Sequence, residues 1–337
     1  MTRPPSRQIL GISFVLLSAL ALSAQNVVLR LFFAQSQVFG RISFGGFVTP
    51  QLSHILLLLA LRMATMAVLL TILAPRLYPK TFAVLRALPQ TPQLWKTVTA
   101  SGVCLFLGLT LLYAALSQVA TGIAISLFFI YPAITFLLAW RWFKQPPRAY
   151  QLGLMVVIFI GVGLTSFTFA SGTSASGTAA SGSASNPVLG SLCALGAGLN
   201  FGLYGIVAEL SLQPQKGHSG LHPVPFSLYT FTTVALLAAL TLGANPQISI
   251  APAGWSPVLA MTGVSALLTL VAYVLNNVGI SQIGASLTAL LTASTPVLTT
   301  MFAWWILQET LQTRQAVGIG LVTLGITLLS IKARRET

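Results

Sequence analysis

Apolar residues follow the chain in continuous runs of about 20 positions, and none of these runs alternates with the period of two typical of an amphipathic strand. A run of about 17–25 apolar residues is long enough to cross the hydrocarbon core of a bilayer. Lipid requires that backbone polar groups be paired within the spanning structure, which here favours helices. The pattern predicts ten membrane-spanning helices, over Ile9–Phe33, Leu52–Ala74, Val98–Leu116, Thr121–Phe143, Tyr150–Ala170, Val188–Leu210, Phe226–Leu242, Pro257–Asn277, Ala285–Leu307 and Gln315–Ile331.

The composition agrees with an environment of lipid. Hydrophobic residues make up 55% of the chain and charged residues 6%, whereas soluble domains carry about 25% charged residues. The first apolar run follows Arg3 and Arg7, as in a signal peptide, but no convincing small-x-small cleavage site follows it. We therefore predict a retained first helix in an all-α membrane protein.

One part of the sequence occurs twice. The stretch that begins at Ser117 is repeated from Ser281, at a constant offset of 164 positions. Identical pairs at this offset are Ser117/Ser281, Gln118/Gln282, Pro132/Pro296, Thr135/Thr299, Ala139/Ala303, Trp140/Trp304, Gln151/Gln315, Gly161/Gly325 and Leu164/Leu328. Because each half holds an odd number of spans, the second half enters the membrane from the opposite side. We predict two inverted five-helix repeats, residues 8–170 and 187–332, joined by a flexible Ser/Gly/Ala/Thr linker at 171–186.

The net charge of +14 is distributed unevenly over the predicted topology. With the N-terminus inside, thirteen of the seventeen Lys and Arg residues lie on the cytoplasmic side. Arg41 and Arg314 lie outside, and Arg30 and Arg62 lie within spans. This asymmetry follows the positive-inside rule and predicts a multi-pass protein with both termini cytoplasmic, in a bacterial inner (cell) membrane. No basic patch is interleaved with aromatic residues, so we expect no nucleic-acid partner.

Each repeat has the same order of local features. A tight turn leads into a helix with a central proline, from Ser117 to Pro132 and from Ser281 to Pro296. An Ala-Trp pair, a short polar turn and a glycine-bearing final helix follow. This unit resembles the EamA-type unit of the drug/metabolite transporter superfamily. The resemblance implies ten helices with both ends cytoplasmic, and export or exchange of small metabolites.

Three further positions bear on the resemblance. Glu309 occupies the place of the family's usual acidic residue in the second half, whereas Gln145 departs from that pattern in the first. The LRMA segment around Arg62 is similar to the family's second helix. Because no carboxylate lies deep in a span, we predict facilitated exchange, or coupling too weak to concentrate the substrate strongly. Glu309 is the one plausible exception, and we expect it instead to form hydrogen bonds in the turn between the ninth and tenth helices.

Arg62 is the sharpest candidate for a substrate contact. It is a fixed positive charge deep in an otherwise neutral span, where a charged side chain costs about 2.5–3.5 kcal/mol on insertion scales. The chain has no Asp, and Glu209, Glu309 and Glu336 lie near or beyond the predicted helix ends. A bound anionic group would supply the missing partner. The alternative is a structural role, in which Arg62 bonds helix-terminal carbonyls or extends its side chain to the interface.

Other polar residues within spans are candidates for a substrate pathway. Asn26 and Arg30 lie four positions apart on the first helix, and Asn200 and Tyr204 repeat that spacing on the sixth. The alternative is interhelical hydrogen bonding, and Arg30 would then reach the outer headgroups. Asn276 and Asn277 either line the cytoplasmic vestibule or cap the end of the eighth helix.

Two prolines, Pro132 and Pro296, fall within predicted helices and suggest a hinge in each half. Tyr131 precedes the first, and Thr292 and Thr295 precede the second, so we include these three side chains among the candidate substrate contacts. Cys104 and Cys193 lie inside spans and suggest core packing rather than disulfide or metal chemistry.

Several kinds of chemistry have no counterpart in the sequence. There is no phosphate-binding loop for ATP, no His or Cys spacing for a metal, and no nucleophile–base cluster, so we expect no cofactor and no enzyme activity. The sequence favours a secondary transporter of small polar or amphiphilic metabolites, working by alternating access. The family resemblance adds export as the direction, and amino acids or related compounds as the substrates. Two alternatives stay open, a non-transporting membrane sensor or assembly protein and a membrane-embedded transferase. The expected partners are the substrate and the lipid bilayer, with a homodimer left open.

Overall fold

The computed structural model describes residues 5–33, 35–48, 51–118, 127–143, 149–171, 187–214, 219–244, 254–308 and 313–335. Within these ranges nearly all of the chain is helical, and the strands form one antiparallel hairpin. The predicted linker, apart from Ser171, falls outside the described residues, as do Gln145, Glu309 and Glu336.

The elements follow one another in a simple order. The first part of the chain holds α1 (Pro5–Phe33), β1 (Gln35–Val38), β2 (Ile42–Gly45), α2 (Leu52–Leu77), α3 (Thr81–Ala87), a 3₁₀ turn (Leu88–Gln90), α4 (Pro92–Gln118), α5 (Tyr131–Phe143) and α6 (Ala149–Ser171). The second part holds α7 (Pro187–Leu212), α8 (Pro223–Ala244), α9 (Trp255–Ile283), α10 (Ala285–Thr292), α11 (Thr295–Leu307) and α12 (Thr313–Arg335).

Seven apolar helical segments in the described part of the chain are long enough to cross a membrane. They are α1, α2, α4, α7, α8, α9 and the segment formed by α10 with α11. Two shorter apolar segments, Ala149–Leu164 and Ala316–Leu328, lie in α6 and α12. Exposed side chains on these helices are largely aliphatic or aromatic, as lipid contact requires. The chain therefore has the fold of an α-helical, multi-pass membrane protein.

The eighth predicted span ends later than the sequence suggested. Helix α9 continues past Asn277 to Ile283 and stops at Gly284, whose φ of +86° a residue with a side chain rarely adopts. The N–H of Gly284 still bonds the carbonyl of Ile280. Asn276 and Asn277 are thus internal to the helix, and of the two alternatives for them the C-terminal capping role is wrong.

The ninth predicted span is divided. Helix α10 ends at Thr292, a turn occupies Ala293 and Ser294, and α11 begins at Thr295 with Pro296 in its first turn. Proline is well tolerated there because the first N–H groups of a helix have no partner within it. The proline therefore follows a break in the span instead of bending a continuous helix.

Pro132 has the same local setting. It is the second residue of α5, directly after a turn at Phe129 and Ile130. Since a proline at the start of a helix removes no intrahelical bond, neither proline kinks a helix from within. Whether the two breaks act as hinges stays a prediction.

The most extensive helix–helix contacts are those of α4 with α7, α1 with α9 and α6 with α12. Glycines allow the two helix backbones to approach each other closely in each of them. An added Cβ at Gly108 of α4 would meet Phe201 of α7 at 2.6 Å. One at Gly279 of α9 would overlap the side chain of Val15 in α1.

In the contact between α6 and α12, each helix places a glycine against a branched side chain of the other. A Cβ at Gly161 would lie 2.6 Å from Val322, and one at Gly325 would lie 2.7 Å from Ile158. Gly161 and Gly325 are 164 positions apart, and so are Ile158 and Val322. If each residue is replaced by its partner in the sequence repeat, the contact of Gly161 with Val322 therefore becomes the contact of Gly325 with Ile158.

The hairpin between α1 and α2 lies against the end of α11. The N–H of Phe39 donates a 2.7 Å hydrogen bond to the carbonyl of Ile306. The ring of Phe39 meets Trp305 edge to face, with centroids 6.0 Å apart. This links the first connection of the chain to the end of the ninth predicted span.

Candidate functional site

Arg62 lies on α2 with 6% of its surface exposed, so its charge is buried among the helices. An Nη2–H donates a 2.7 Å hydrogen bond to the hydroxyl of Tyr113 on α4. Its Nε is buried and has no hydrogen-bond partner among the described residues. An unpaired buried donor is costly. Of the buried side-chain atoms without a hydrogen bond among the described residues, this nitrogen is the one that belongs to a charged group.

Two small cavities adjoin the guanidinium, and both are lined by Arg62, Leu29 and Leu58. Each has a volume of about 10 Å³, which is room for roughly one water molecule. One extends towards Tyr113 and the other towards Ser265. The helices α1, α2, α4 and α9 therefore meet around Arg62 with little space to spare.

Helix α9 supplies most of the other polar groups near this point. Ser265 lines the second cavity and accepts a 3.5 Å hydrogen bond from the side-chain amide of Gln25. The phenol of Tyr273 lies within electrostatic range of both Arg62 and Tyr113. A cationic group is thus surrounded by hydroxyl groups and by aliphatic side chains.

Sequence reasoning missed Ser265 and Tyr273, although a signal for them exists. Ser265, Thr269, Tyr273 and Asn277 recur every four residues on α9, and this spacing keeps them on neighbouring turns of one face. A search for polar stripes on apolar helices would have found this set.

Tyr204 belongs to a second buried polar cluster. Its hydroxyl donates a 2.9 Å hydrogen bond to Oδ1 of Asn277, and Nδ2 of Asn277 donates a 2.9 Å bond to Oγ of Ser227. Asn277 and Ser227 are fully buried, so the bonds join α7, α9 and α8 inside the protein. Tyr273 interacts electrostatically with Tyr204 as well as with Arg62, which brings these two predicted site residues close to the same phenol.

The two predicted site residues on α1, Asn26 and Arg30, have different surroundings. The side-chain amide of Asn26 donates a 3.2 Å hydrogen bond to Oγ1 of Thr299 on α11, so it joins two helices. Arg30 is exposed, in the last turn of α1, which is compatible with the headgroup alternative. Asn200 donates to the carbonyl of Gly196 in its own helix, at 2.8 Å.

The remaining candidates surround the two broken spans. Tyr131 is 9% exposed and packs with the rings of Phe128, Phe129 and Phe201. Thr292 donates to the backbone of its own helix, whereas Oγ1 of Thr295 is buried without a hydrogen-bond partner in the described ranges. Tyr131, like Tyr204, interacts electrostatically with Tyr273, so it shares this neighbour with Arg62.

Two comparisons identify the family of the chain. The model of the EamA-like transporter family matches residues 188–331. An uncharacterized transporter of Synechocystis sp. is 37% identical over 326 residues, which cover 96% of this chain and 93% of the relative. The chain belongs to the EamA-like transporter family. A solved crystal structure also superposes on this EamA-like transporter with a TM-score of 0.62 at 15% identity, covering 98% of this chain and 99% of that one; at that identity it shows a common fold alone.

The family assignment confirms the resemblance inferred from the repeated unit, and the EamA-like chain is an integral membrane transporter. Glu209, the carboxylate within the described residues, lies near the end of α7. It accepts a 2.7 Å hydrogen bond from the N–H of Ala285, at the positive N-terminal end of α10. Within the described residues no group of three His, Cys, Asp or Glu side chains is arranged to hold a metal ion.

One titratable group of the EamA-like transporter lies outside the spans in a defined setting. His222 stacks on Tyr78 with ring centroids 4.1 Å apart and accepts a 3.3 Å hydrogen bond at Nδ1 from the N–H of Val224. Partial burial lowers the pKa of His222 below its ordinary value. A neutral imidazole is the form that can accept this hydrogen bond.

Proposed function

We propose that this protein is a secondary transporter that exports small polar metabolites by alternating access. The observation that carries the proposal is the buried, hydrogen-bonded pair of Arg62 and Tyr113, with Tyr273 in electrostatic range, where helices from both halves of the chain meet. Charged and polar side chains are expensive inside a membrane, and they mark substrate pathways in transport proteins. The small volume of the adjoining cavities fits a closed conformation that opens to one side at a time.

We further propose that residues 8–170 and 187–332 are two inverted repeats of five spans each. The matched contacts of Gly161 with Val322 and of Gly325 with Ile158 support this arrangement, because an offset of 164 residues exchanges them. The helix contacts follow the same rule. Helices α1 and α9 are the first and third spans of opposite halves, and so are α7 and α4.

The proposed topology has both termini in the cytoplasm of a bacterial cell. Contacts between distant loops agree with it. Tyr78 follows the second span and His222 precedes the seventh, so the proposed topology places both on the cytoplasmic side. Their rings stack on each other. Phe39 and Trp305 belong to the outer ends of the first and ninth spans, and they also touch.

Transport itself is tested in proteoliposomes that contain the purified protein. We expect counterflow of at least one member of a panel of radiolabelled polar metabolites, above the rate in protein-free liposomes. An imposed pH gradient should add little to substrate accumulation. The carboxylate in the described spans, Glu209, accepts a hydrogen bond from the backbone of α10, so we do not expect it to carry protons during transport. Absence of flux for the whole panel, with protein that remains folded, would contradict the transport proposal.

Alternating access is tested at Leu58, which lines both cavities. Cys104 and Cys193 are first replaced by Ala, and Leu58→Cys is then added. A membrane-impermeant thiol reagent should modify this cysteine from either side of oriented vesicles, more slowly when transported substrate is present. Modification from a single side under all substrate gradients would refute alternating access while leaving the family assignment intact.

A further inference from the structure

Resting on the proposed transport function, we infer that the Arg62 cavity binds the carboxylate of an amphipathic monoanion that carries no ammonium group. Arg62 has 6% exposure and an Nε donor with no partner among the described residues. A guanidinium offers five N–H donors in one plane and stays ionised in proteins. The bond to Tyr113 uses one of those donors, so the group can hold a carboxylate at its remaining edge.

The neighbouring hydroxyls are suited to the same ligand. Tyr113 accepts its hydrogen bond from Arg62, so its own O–H proton remains available for a carboxylate oxygen. Tyr273 adds a second phenol within electrostatic range of the guanidinium. The guanidinium from α2 and the Tyr113 hydroxyl from α4 thus line the first cavity together.

Among the described residues, no carboxylate lines these cavities to hold an ammonium group. The chain contains no Asp, and Glu209, the carboxylate in the described residues, is bonded to the backbone of α10. The rest of the first cavity is aliphatic, with Leu29, Ile55, Leu58 and Leu59 as its walls. Moving a cation from water to such walls without an acceptor is strongly unfavourable. The same walls suit a hydrocarbon chain attached to the carboxylate.

The two cavities define where that chain would lie. Leu29 and Leu58 line both of them, so displacement of these two side chains joins the cavities into one space along Arg62. Since each cavity has a volume of about 10 Å³, ligand entry requires the helices around it to separate. Binding should therefore be coupled to the conformational change of transport.

The test compares three ligands with the same six-carbon skeleton. Hexanoate, norleucine and hexylamine are titrated calorimetrically into the full chain in nanodiscs, with empty nanodiscs as the blank. We expect hexanoate to bind and hexylamine, which lacks the carboxylate, to give no signal. Norleucine should bind at least about tenfold more weakly than hexanoate, because its ammonium group loses its hydration among the aliphatic walls. Chloride is titrated separately, and affinity equal to that of hexanoate would identify a simple inorganic anion site and overturn the inference.

Variants assign the binding to Arg62. Arg62→Gln should weaken hexanoate binding by about tenfold or more, and Arg62→Lys should weaken it less, because it keeps the charge and loses the planar fork. Arg76→Gln is the matched control, since Arg76 is exposed at the end of the same helix. If Arg62→Gln fails to fold, Tyr113→Phe serves in its place and should reduce affinity several-fold.

The outcomes separate this inference from the transport proposal. Transport of other metabolites without hexanoate binding would overturn the anion site and leave the transporter standing. Norleucine binding as tight as that of hexanoate would overturn the exclusion of an ammonium group. Unchanged hexanoate affinity in folded Arg62→Gln would likewise remove Arg62 from the site. No flux of any compound would instead count against transport.

Discussion

Gly279 controls how closely α1 and α9 approach each other. A Cβ added there would lie closer than 3.0 Å to Cγ2 of Val15, and Val15 is fully buried. Real Cβ atoms essentially never come that close to another heavy atom. A valine in a helix strongly prefers one rotamer, so the methyl group cannot simply rotate away. We predict that Gly279→Ala forces the two helices apart.

The size of the effect follows from the contact. Inserting a methyl group into a well-packed interior costs about 1–3 kcal/mol, and the gain in helix propensity from Gly to Ala, about 1 kcal/mol at most, offsets part of it. We expect Gly279→Ala to lower the free energy of unfolding by about 1–2 kcal/mol. The same substitution at Gly263, on the same helix, meets no described atom within 4 Å and should leave stability equal or slightly higher.

The assay is equilibrium unfolding in mixed micelles, followed by tryptophan fluorescence. A double variant, Val15→Ala with Gly279→Ala, isolates the clash, because the Cβ of Val15 would be 3.7 Å from the new methyl group, an ordinary contact. The pair should show a coupling energy of about 1 kcal/mol or more in the double-mutant cycle. Equal stability of Gly279→Ala and Gly263→Ala would refute the steric argument.

Two further predictions concern polar groups. Tyr204→Phe removes the donor to buried Asn277 and should cost about 1–2 kcal/mol of unfolding free energy; a loss below about 0.5 kcal/mol would argue against this bond. His222 has a lowered pKa in the folded state, so the unfolded chain binds more protons below its ordinary pKa of about 6.5, and stability should fall as the pH drops through that range. Thermal midpoints between pH 8 and pH 5 should decline less in His222→Gln than in the unaltered protein, and parallel declines would rule out this contribution.

The membrane-embedded helical class was readable from the sequence because uncharged runs of about 20 apolar residues are typical of helices that cross a bilayer. Helix ends were harder to predict. The span that ends at Ile283 was predicted to stop at Asn277, because two polar residues there look like a terminus. The side chain of Asn277 is instead paired across helices with Tyr204 and Ser227. Such pairing depends on neighbours distant in sequence, which local patterns do not reveal.

The candidate site was predictable in part. Arg62 was recognisable because an isolated charge in an apolar run is conspicuous by itself. Tyr113 and Tyr273 were not recognised, since a tyrosine in an apolar helix is common and acquires meaning only next to Arg62. The spacing of Asn26 and Arg30 predicts a shared face, yet Asn26 bonds Thr299 on another helix. Spacing identifies a shared face but not the helix that covers it.

The reciprocal contacts of α6 and α12 bear on the origin of the protein. Gly161 faces Val322 as Gly325 faces Ile158, which is the pattern of a surface that binds a copy of itself. With the proposed inverted halves, an ancestral chain of half this length would have paired with a molecule inserted the opposite way up. On this proposal, one gene product would have had to enter the membrane in both orientations. Duplication and fusion would then have let each half fix its own orientation through its own basic residues, and a single substitution would have altered one of these two contacts instead of both.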